Sequence, residues 1–339
     1  MNALARIALK GILSGIKEGL DNDTLSLFDE DPQQTDVSDN VLSGVINGVL
    51  FQTTQEALSV IDQEQMQALE LAARSATKAE NLKNAITPDR AKFISDECMS
   101  QEAFTDRPEI TKICDTDRVF VAKARILKTI SIKEADNFGL ILPKKVTETA
   151  EKNKQLKIKP LIIRCYGVSS GDTVNQALTG ADVLLNNRPA IIEDANAAIV
   201  KYINTVSSKD DANTITVPFI TGQSLGGMFA SVIALKNNFG SAVFNPLGLN
   251  DKICEYIGID ALKEAKQNIN KHLVISLDGD FTSSPNSVLP LRTLFGGVMP
   301  GQTITIPASD DKDLYNIHMG YRKAFDAACK DAFAANAPK

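Results

Sequence analysis

Residues 158–167, I-K-P-L-I-I-R-C-Y-G, form a nearly unbroken apolar run. A run of that length fits a strand buried on both faces, and such strands belong to parallel sheets with helices on either side. The chain keeps this rhythm. R-V-F-V-A-K-A-R-I-L (118–127) alternates as a half-buried strand does, and Gly139–Leu142 is a further short candidate. A helical pattern through Ala197, Ile199, Val200 and Ile203 is followed by T-I-T-V-P-F-I-T-G from Thr214. Then come S-A-V-F-N-P (241–246), a helix near 251–268, H-L-V-I-S-L-D (272–278), T-I-T-I-P (303–307) and a last helix from about Gly320 to Ala335. Strands alternating with helices imply a mostly parallel sheet covered on both faces. Pro218 cannot donate to a central ladder, so its strand is expected to start late or run irregularly there.

The region before about residue 110 is helical in texture, which divides the chain into residues 1–112 and 113–339. Leu9, Ile12, Leu13, Ile16 and Leu20 give the first segment one apolar face, and Arg6, Lys10 and Lys17 interrupt any continuous signal-like core. That face can dock on its own domain, on a partner or at a membrane surface. An acidic stretch over 21–37 reads as an exposed linker. Ser38 can cap a helix through Val41, Leu42, Val45, Ile46 and Val49 towards Ile61. A second helix covers Asp62 to about Ala85, before Thr87-Pro88 ends it.

A net charge of −6 and a pI near 5.2 argue against general nucleic-acid binding. The five scattered cysteines (Cys98, Cys114, Cys165, Cys254, Cys329) read as reduced thiols of a cytoplasmic protein; export without a cleaved signal stays open. With two histidines in the chain, no clustered metal site is expected, and no other cofactor. Nor is there an apolar stretch long enough to span a membrane.

Gly222-Gln223-Ser224-Leu225-Gly226 lies between the strand ending at Thr221 and a helix through Met228, Phe229, Val232, Ile233 and Leu235. The pattern G-x-S-x-G arises by chance in roughly one chain of this composition in ten or twenty. On a strand–turn–helix, however, it is a nucleophile elbow, whose glycines let the backbones pass closely. A serine needs a base to take its proton and donors to hold the oxyanion it creates. The order expected is Ser, then acid, then His. His272 opens the strand that should carry the acid, at the wrong end of the sheet; His318, between the last strand and the last helix, is the eligible base. Asp278 and Asp280 both follow that strand, Asp278 at its final turn and Asp280 further towards the crevice. One oxyanion donor should be the N–H of Leu225, and the other the N–H of Val168 in Y-G-V-S-S-G-D (166–172).

Over about residues 158–330 the chain resembles the α/β-hydrolases and, within them, the class 3 (fungal-type) lipases. T-G-Q-S-L-G-G-M-F-A is similar to that family's elbow, in which His usually stands where Gln223 does here. I-I-R-C-Y-G-V matches the position of the oxyanion-loop strand without its usual Arg-Gly-Ser/Thr. F-N-P-L-G-L (244–249) is similar to the strand after the elbow helix, D-F-T-S-S-P to the Asp-containing turn, and H-M-G-Y-R to the His segment. The resemblance implies an α/β-hydrolase fold preceded by a helical region, prefers Asp280 to Asp278, and points to a lipid or carboxylic ester as substrate.

The expected activity is thus that of a serine acyl hydrolase, with Ser224, His318 and Asp280 as catalytic residues. An acyltransferase or thioesterase with the same residues, or a binding protein with an inactive elbow, are the alternatives. S-V-L-P-L-R-T-L-F-G-G-V-M-P (287–300) is rich in apolar residues. It can line an acyl site, act as a lid hinged at Gly296-Gly297, or simply pack.

Overall fold

The computed structural model describes residues 79–115, 117–143, 156–167, 179–180, 182–183, 187–211, 213–284, 297–299, 301–308 and 314–334. The helices expected over 1–20, 38–61 and most of 62–85, the acidic linker, Val168 and nearly all of 287–300 lie outside these residues.

Two short helices, α1 (Ala79–Ala85) and α2 (Pro88–Phe93), open the described chain. Thr87-Pro88 separates them and also starts the second: the Thr87 hydroxyl accepts from the Arg90 N–H, and Pro88 sits where no donor is needed. A π-helical turn (Ile94–Met99) leads to β1 (Glu109–Ile113) and β2 (Val119–Ile126). The expected boundary at 112/113 therefore falls inside a strand. Next comes α3 (Ile132–Phe138), capped by a reciprocal Ser131–Glu134 pair. Gly139–Leu142 is not a strand. Gly139 takes φ 85° as the left-handed cap of α3, with Gly139 N–H on Asp136 O and Leu140 N–H on Ala135 O.

The alternating part of the chain follows as β3 (Lys157–Cys165), α4 (Ile191–Ser207), β4 (Thr214–Gln223), α5 (Leu225–Asn237) and β5 (Gly240–Phe244). The helix expected over 251–268 is two, α6 (Asp251–Ile257) and α7 (Ile259–Gln267), because Gly258 breaks it at φ 96°. Then come β6 (His272–Leu277), β7 (Gln302–Ile306), α8 (Leu314–Met319) and α9 (Tyr321–Ala334).

These strands form one sheet in sequential order, β1 to β7. β1–β2 and β2–β3 are antiparallel; β3 to β7 are parallel throughout. Pro218 does not interrupt β4: it sits in register opposite Leu161 of β3, and pairing with β5 begins only at Phe219. At Pro218 the ladder is one-sided, so a proline is tolerated.

Sequential order has a consequence for packing. Right-handed crossovers that always step the same way lay their helices on one face of the sheet. Accordingly α4 to α7 bury Ile199, Ile203, Met228, Val232, Ile253 and Ala265 against Leu161, Ile163, Ile220, Val243 and Val274. The opposite face is covered from both ends of the described chain. Leu82, Phe93, Ile94 and Phe104 join Tyr321 and Phe325 of α9 over Ile162, Phe219, Phe244, Ile275 and Ile304. The helices before β1 are thus part of the sheet's core. α5 is buried on every side from Leu225 to Leu235, as a helix pinned between sheet and neighbours must be. A mostly parallel seven-stranded sheet, helices on both faces and a strand–Ser224–helix turn at its centre make this an α/β-hydrolase fold. Among the described residues, no helix is long and apolar enough to cross a membrane.

Candidate active site

The candidate residues converge on the carboxyl ends of the parallel strands, where open α/β sheets bind ligands. Ser224 follows β4 with φ 57° and ψ −129°, a conformation sparsely populated by non-glycine residues. Three main-chain bonds hold it there. Its N–H donates to Phe244 O at 3.0 Å, and its carbonyl accepts from Met228 N–H at 3.1 Å and Leu247 N–H at 3.2 Å. A serine before a helix usually caps it; Ser224 makes no side-chain cap bond to α5, so that role does not occupy its hydroxyl.

The elbow glycines are required by contact. A Cβ on Gly222 would lie 2.4 Å from Gly226 O, and one on Gly226 would lie 2.5 Å from Cys165 O and 2.8 Å from Gly167 N. The end of β3 therefore runs directly over the start of α5. A Cβ on Gly167 would meet Gly226 N at 3.4 Å and Leu225 N at 3.7 Å. The Leu225 N–H is a first-turn amide without an intrahelical acceptor. Val168, the other expected donor, lies outside the described residues.

Asp280 and His318 meet. His318 Nδ1 is 2.6 Å from Asp280 Oδ2, and the two residues are 1% and 0% exposed. Asp280 is prepared to hold a negative charge. Its Oδ1 accepts from Thr282 N–H (3.1 Å), Ser283 N–H (2.9 Å) and the Ser283 hydroxyl (2.7 Å). With its own proton so committed, Ser283 in turn accepts from Ser276 at 2.6 Å. The Thr282 hydroxyl is 2.7 Å from both Asp280 Oδ1 and Asn245 O, and its one proton serves either. Burial alone would raise the Asp280 carboxyl. The adjacent His318, its hydrogen bond and the bonds from Thr282 and Ser283 outweigh burial and hold it below the ordinary value. Asp278, the other acid considered, stands at the end of β6 with its N–H on Ile306 O, partly exposed; the acid at the imidazole is Asp280.

His318 sits in the last turn of α8 rather than in a loop. The Phe281 ring lies 4.7 Å from the imidazole, centroid to centroid. The carbonyl of His318 accepts from Gln223 Nε2 at 3.1 Å and from Asn245 Nδ2 at 2.9 Å. Since Gln223 is the residue before Ser224, His318 stands against the elbow. Asn245 and Phe281 lie in the quoted segments F-N-P-L-G-L and D-F-T-S-S-P, but the sequence assigns neither a role. Asn245, at φ 42° after β5, is the kind of residue that tolerates a left-handed turn, and that was its only signal.

His272 is elsewhere, buried at the opposite end of the sheet with Nδ1 3.3 Å from Ser241 Oγ. Burial, and secondarily the charge of Arg90, push it down to about 4. In the 287–300 segment, Gly297 packs on Gly248, and Val298 exchanges both main-chain bonds with Leu249. Gly297 thus adjoins the bridge at Val298, and Gly296 lies outside the described residues.

No family model and no curated protein matches the chain. Among solved structures it is similar to a thermostable esterase from Pseudomonas putida ECU1011, at 12% sequence identity and a TM-score of 0.28, covering 82% of this chain and 98% of that one.

Proposed function

We propose that the chain is a serine acyl hydrolase acting on carboxylic esters of the lipid class, with Ser224 as nucleophile, His318 as base and acid, and Asp280 as the acid behind it. Ser224 Oγ adds to the ester carbonyl carbon while its proton passes to His318 Nε2. The Leu225 N–H, and Val168 as second donor, stabilise the oxyanion. Collapse breaks the bond to the alcohol, which leaves with the proton from His318 and gives an acyl-enzyme. Water then adds with His318 again taking a proton; the acyl–Oγ bond breaks, Ser224 regains its hydrogen and the carboxylic acid departs. Asp280 fixes the imidazole with its proton on Nδ1 and stabilises the imidazolium without becoming protonated.

The observation that carries this reading is the buried Asp280–His318 pair tied through Gln223 to a strained serine whose hydroxyl is not used to cap α5. The preference for lipid esters rests on the sequence resemblance, and the apolar face expected from the sequence of residues 1–20 is the candidate for contact with a lipid surface. A fluorophosphonate probe is expected to label wild-type protein at Ser224 and not the Ser224→Ala variant. Failure to label folded wild type removes the hydrolase reading. Comparing short- and long-chain esters, with and without lipid vesicles, then tests the substrate class.

A further inference from the structure

The link between elbow and base carries an inference of its own, which rests on the hydrolase reading. We propose that Gln223 and Asn245 are positioning residues, a pair of carboxamides that clamp the main chain of the base and set its distance from the nucleophile.

The need for a clamp comes from the helix break at Gly320. In a continuous helix the His318 carbonyl would accept from the N–H four residues on, but α8 ends at Met319 and α9 begins at Tyr321. Gly320 N–H makes the ordinary helical bond back to Asn316 O, and the His318 carbonyl lies among the last acceptors of α8, at a helix end in a buried site. Such a group must find partners. It finds two, and they come from both sides of the elbow. Gln223 is covalently joined to Ser224. Asn245 follows Phe244, whose carbonyl holds the Ser224 N–H.

Asn245 is also tied to the acid. Its Oδ1 accepts from Leu277 N–H at 2.8 Å, its N–H donates to Ile275 O at 2.9 Å, and its carbonyl lies 2.7 Å from the Thr282 hydroxyl. One fully buried side chain therefore touches the chain of the base and the strand of the acid, while its main chain adjoins the partner of the nucleophile. Asp280 fixes the imidazole at Nδ1 and Phe281 bounds one face, but neither holds the backbone from which the ring extends. The two carboxamides do. Their geometry makes Ser224 and His318 one unit, whose separation depends on the length of a single glutamine side chain.

Gln223→Met and Asn245→Asp test this. The first keeps length and removes the donor at a partly exposed position. The second keeps shape and tolerance of the left-handed turn but sets an oxygen where a donor faces the carbonyl. Because displacements of about 1 Å cost on the order of 100-fold in rate, each variant is expected to lower kcat by about 10- to 100-fold with KM within about twofold. The far-downfield Hδ1 proton resonance of His318 is expected to broaden or shift in both. Two folded variants with wild-type kcat and an unchanged Hδ1 signal overturn the clamp. If Asn245→Asp does not fold, Gln223→Met alone decides. Wild type labelled at Ser224 alongside variants of unaltered kcat sinks the clamp and spares the hydrolase reading. Unlabelled wild type sinks that reading, and the Hδ1 signal then decides whether the clamp holds the ring.

Discussion

Asp280 Oδ2 lies 2.6 Å from His318 Nδ1, and neither side chain has more than marginal contact with solvent. Thirty-eight residues separate them in the chain. The carboxylate is kept charged by the adjacent His318 and by donors from its own turn, so its role as hydrogen-bond acceptor towards Nδ1 is built before any substrate arrives.

Asp280→Asn preserves that shape and removes the charge that selects the Nδ1–H tautomer. The expected fall in kcat is about 10³- to 10⁴-fold. Asp278→Asn is expected to stay within a few-fold of wild type. Steady-state kinetics on the two variants decide between the acids, and equal losses in both would overturn the assignment of Asp280.

The elbow makes a steric prediction. An alanine Cβ at Gly226 falls 2.5 Å from Cys165 O and 2.7 Å from Tyr166 C, all main chain that cannot rotate away. Either β3 separates from α5 or the turn at Ser224 relaxes. Overpacking of this kind costs about 1–3 kcal/mol, occasionally more. Gly226→Ala should therefore lower the denaturant midpoint and slow fluorophosphonate labelling of Ser224 together. An unchanged midpoint with wild-type labelling contradicts the close passage.

Much of this site was legible before the fold was known, because each part obeys a local rule. Ser224, Gly222 and Gly226 lie on a strand–turn–helix whose periodicities change at that point, and His318 and Asp280 follow in the demanded order. Asn245 and the second role of Gln223 were not legible. Their partner is a main-chain carbonyl at the end of α8, and which carbonyls stand at that end depends on where α8 stops. Pro218 misled for a related reason: a proline's cost depends on whether both sides of its strand are paired there, which is set by where β5 begins. Gly139–Leu142 misled because two helix-cap bonds outweighed a short apolar run.

His272 offers a stability test separate from catalysis. Its folded value of about 4 lies below the ordinary 6.5, chiefly through burial. Between those values the unfolded chain binds a proton that the folded protein refuses, so stability falls as pH drops from about 6.5 to about 4. The full loss is on the order of 3 kcal/mol. Asp280 acts in a lower window: its folded value lies beneath 3.8, so its contribution is lost only as pH falls below the usual carboxylate range. Urea unfolding of wild type and His272→Gln at pH 7 and pH 4.5 should show a smaller pH dependence in the variant. Parallel curves would show that the burial of His272 is not the source.

Arg164 joins the two helical layers that close the second face of the sheet. Only 4% exposed, it donates to Cys98 O (3.1 Å), Met99 O (3.0 Å) and the Tyr321 hydroxyl (2.9 Å), between the rings of Phe104 and Tyr166. Among the described residues no carboxylate pairs with it, so its charge is balanced by carbonyls at the end of the π-helical turn and by ring faces. Tyr321→Phe removes one hydrogen bond to a buried cation and should cost about 1.5–3 kcal/mol. Arg164→Met removes the cation and strands all three acceptors, so its cost should be larger. The two changes share a bond, and the double variant should therefore be less destabilised than their sum, by about 0.5–3 kcal/mol. Additive urea-unfolding energies would mean that Arg164 and Tyr321 act independently, and that α9 is held to β3 by packing alone.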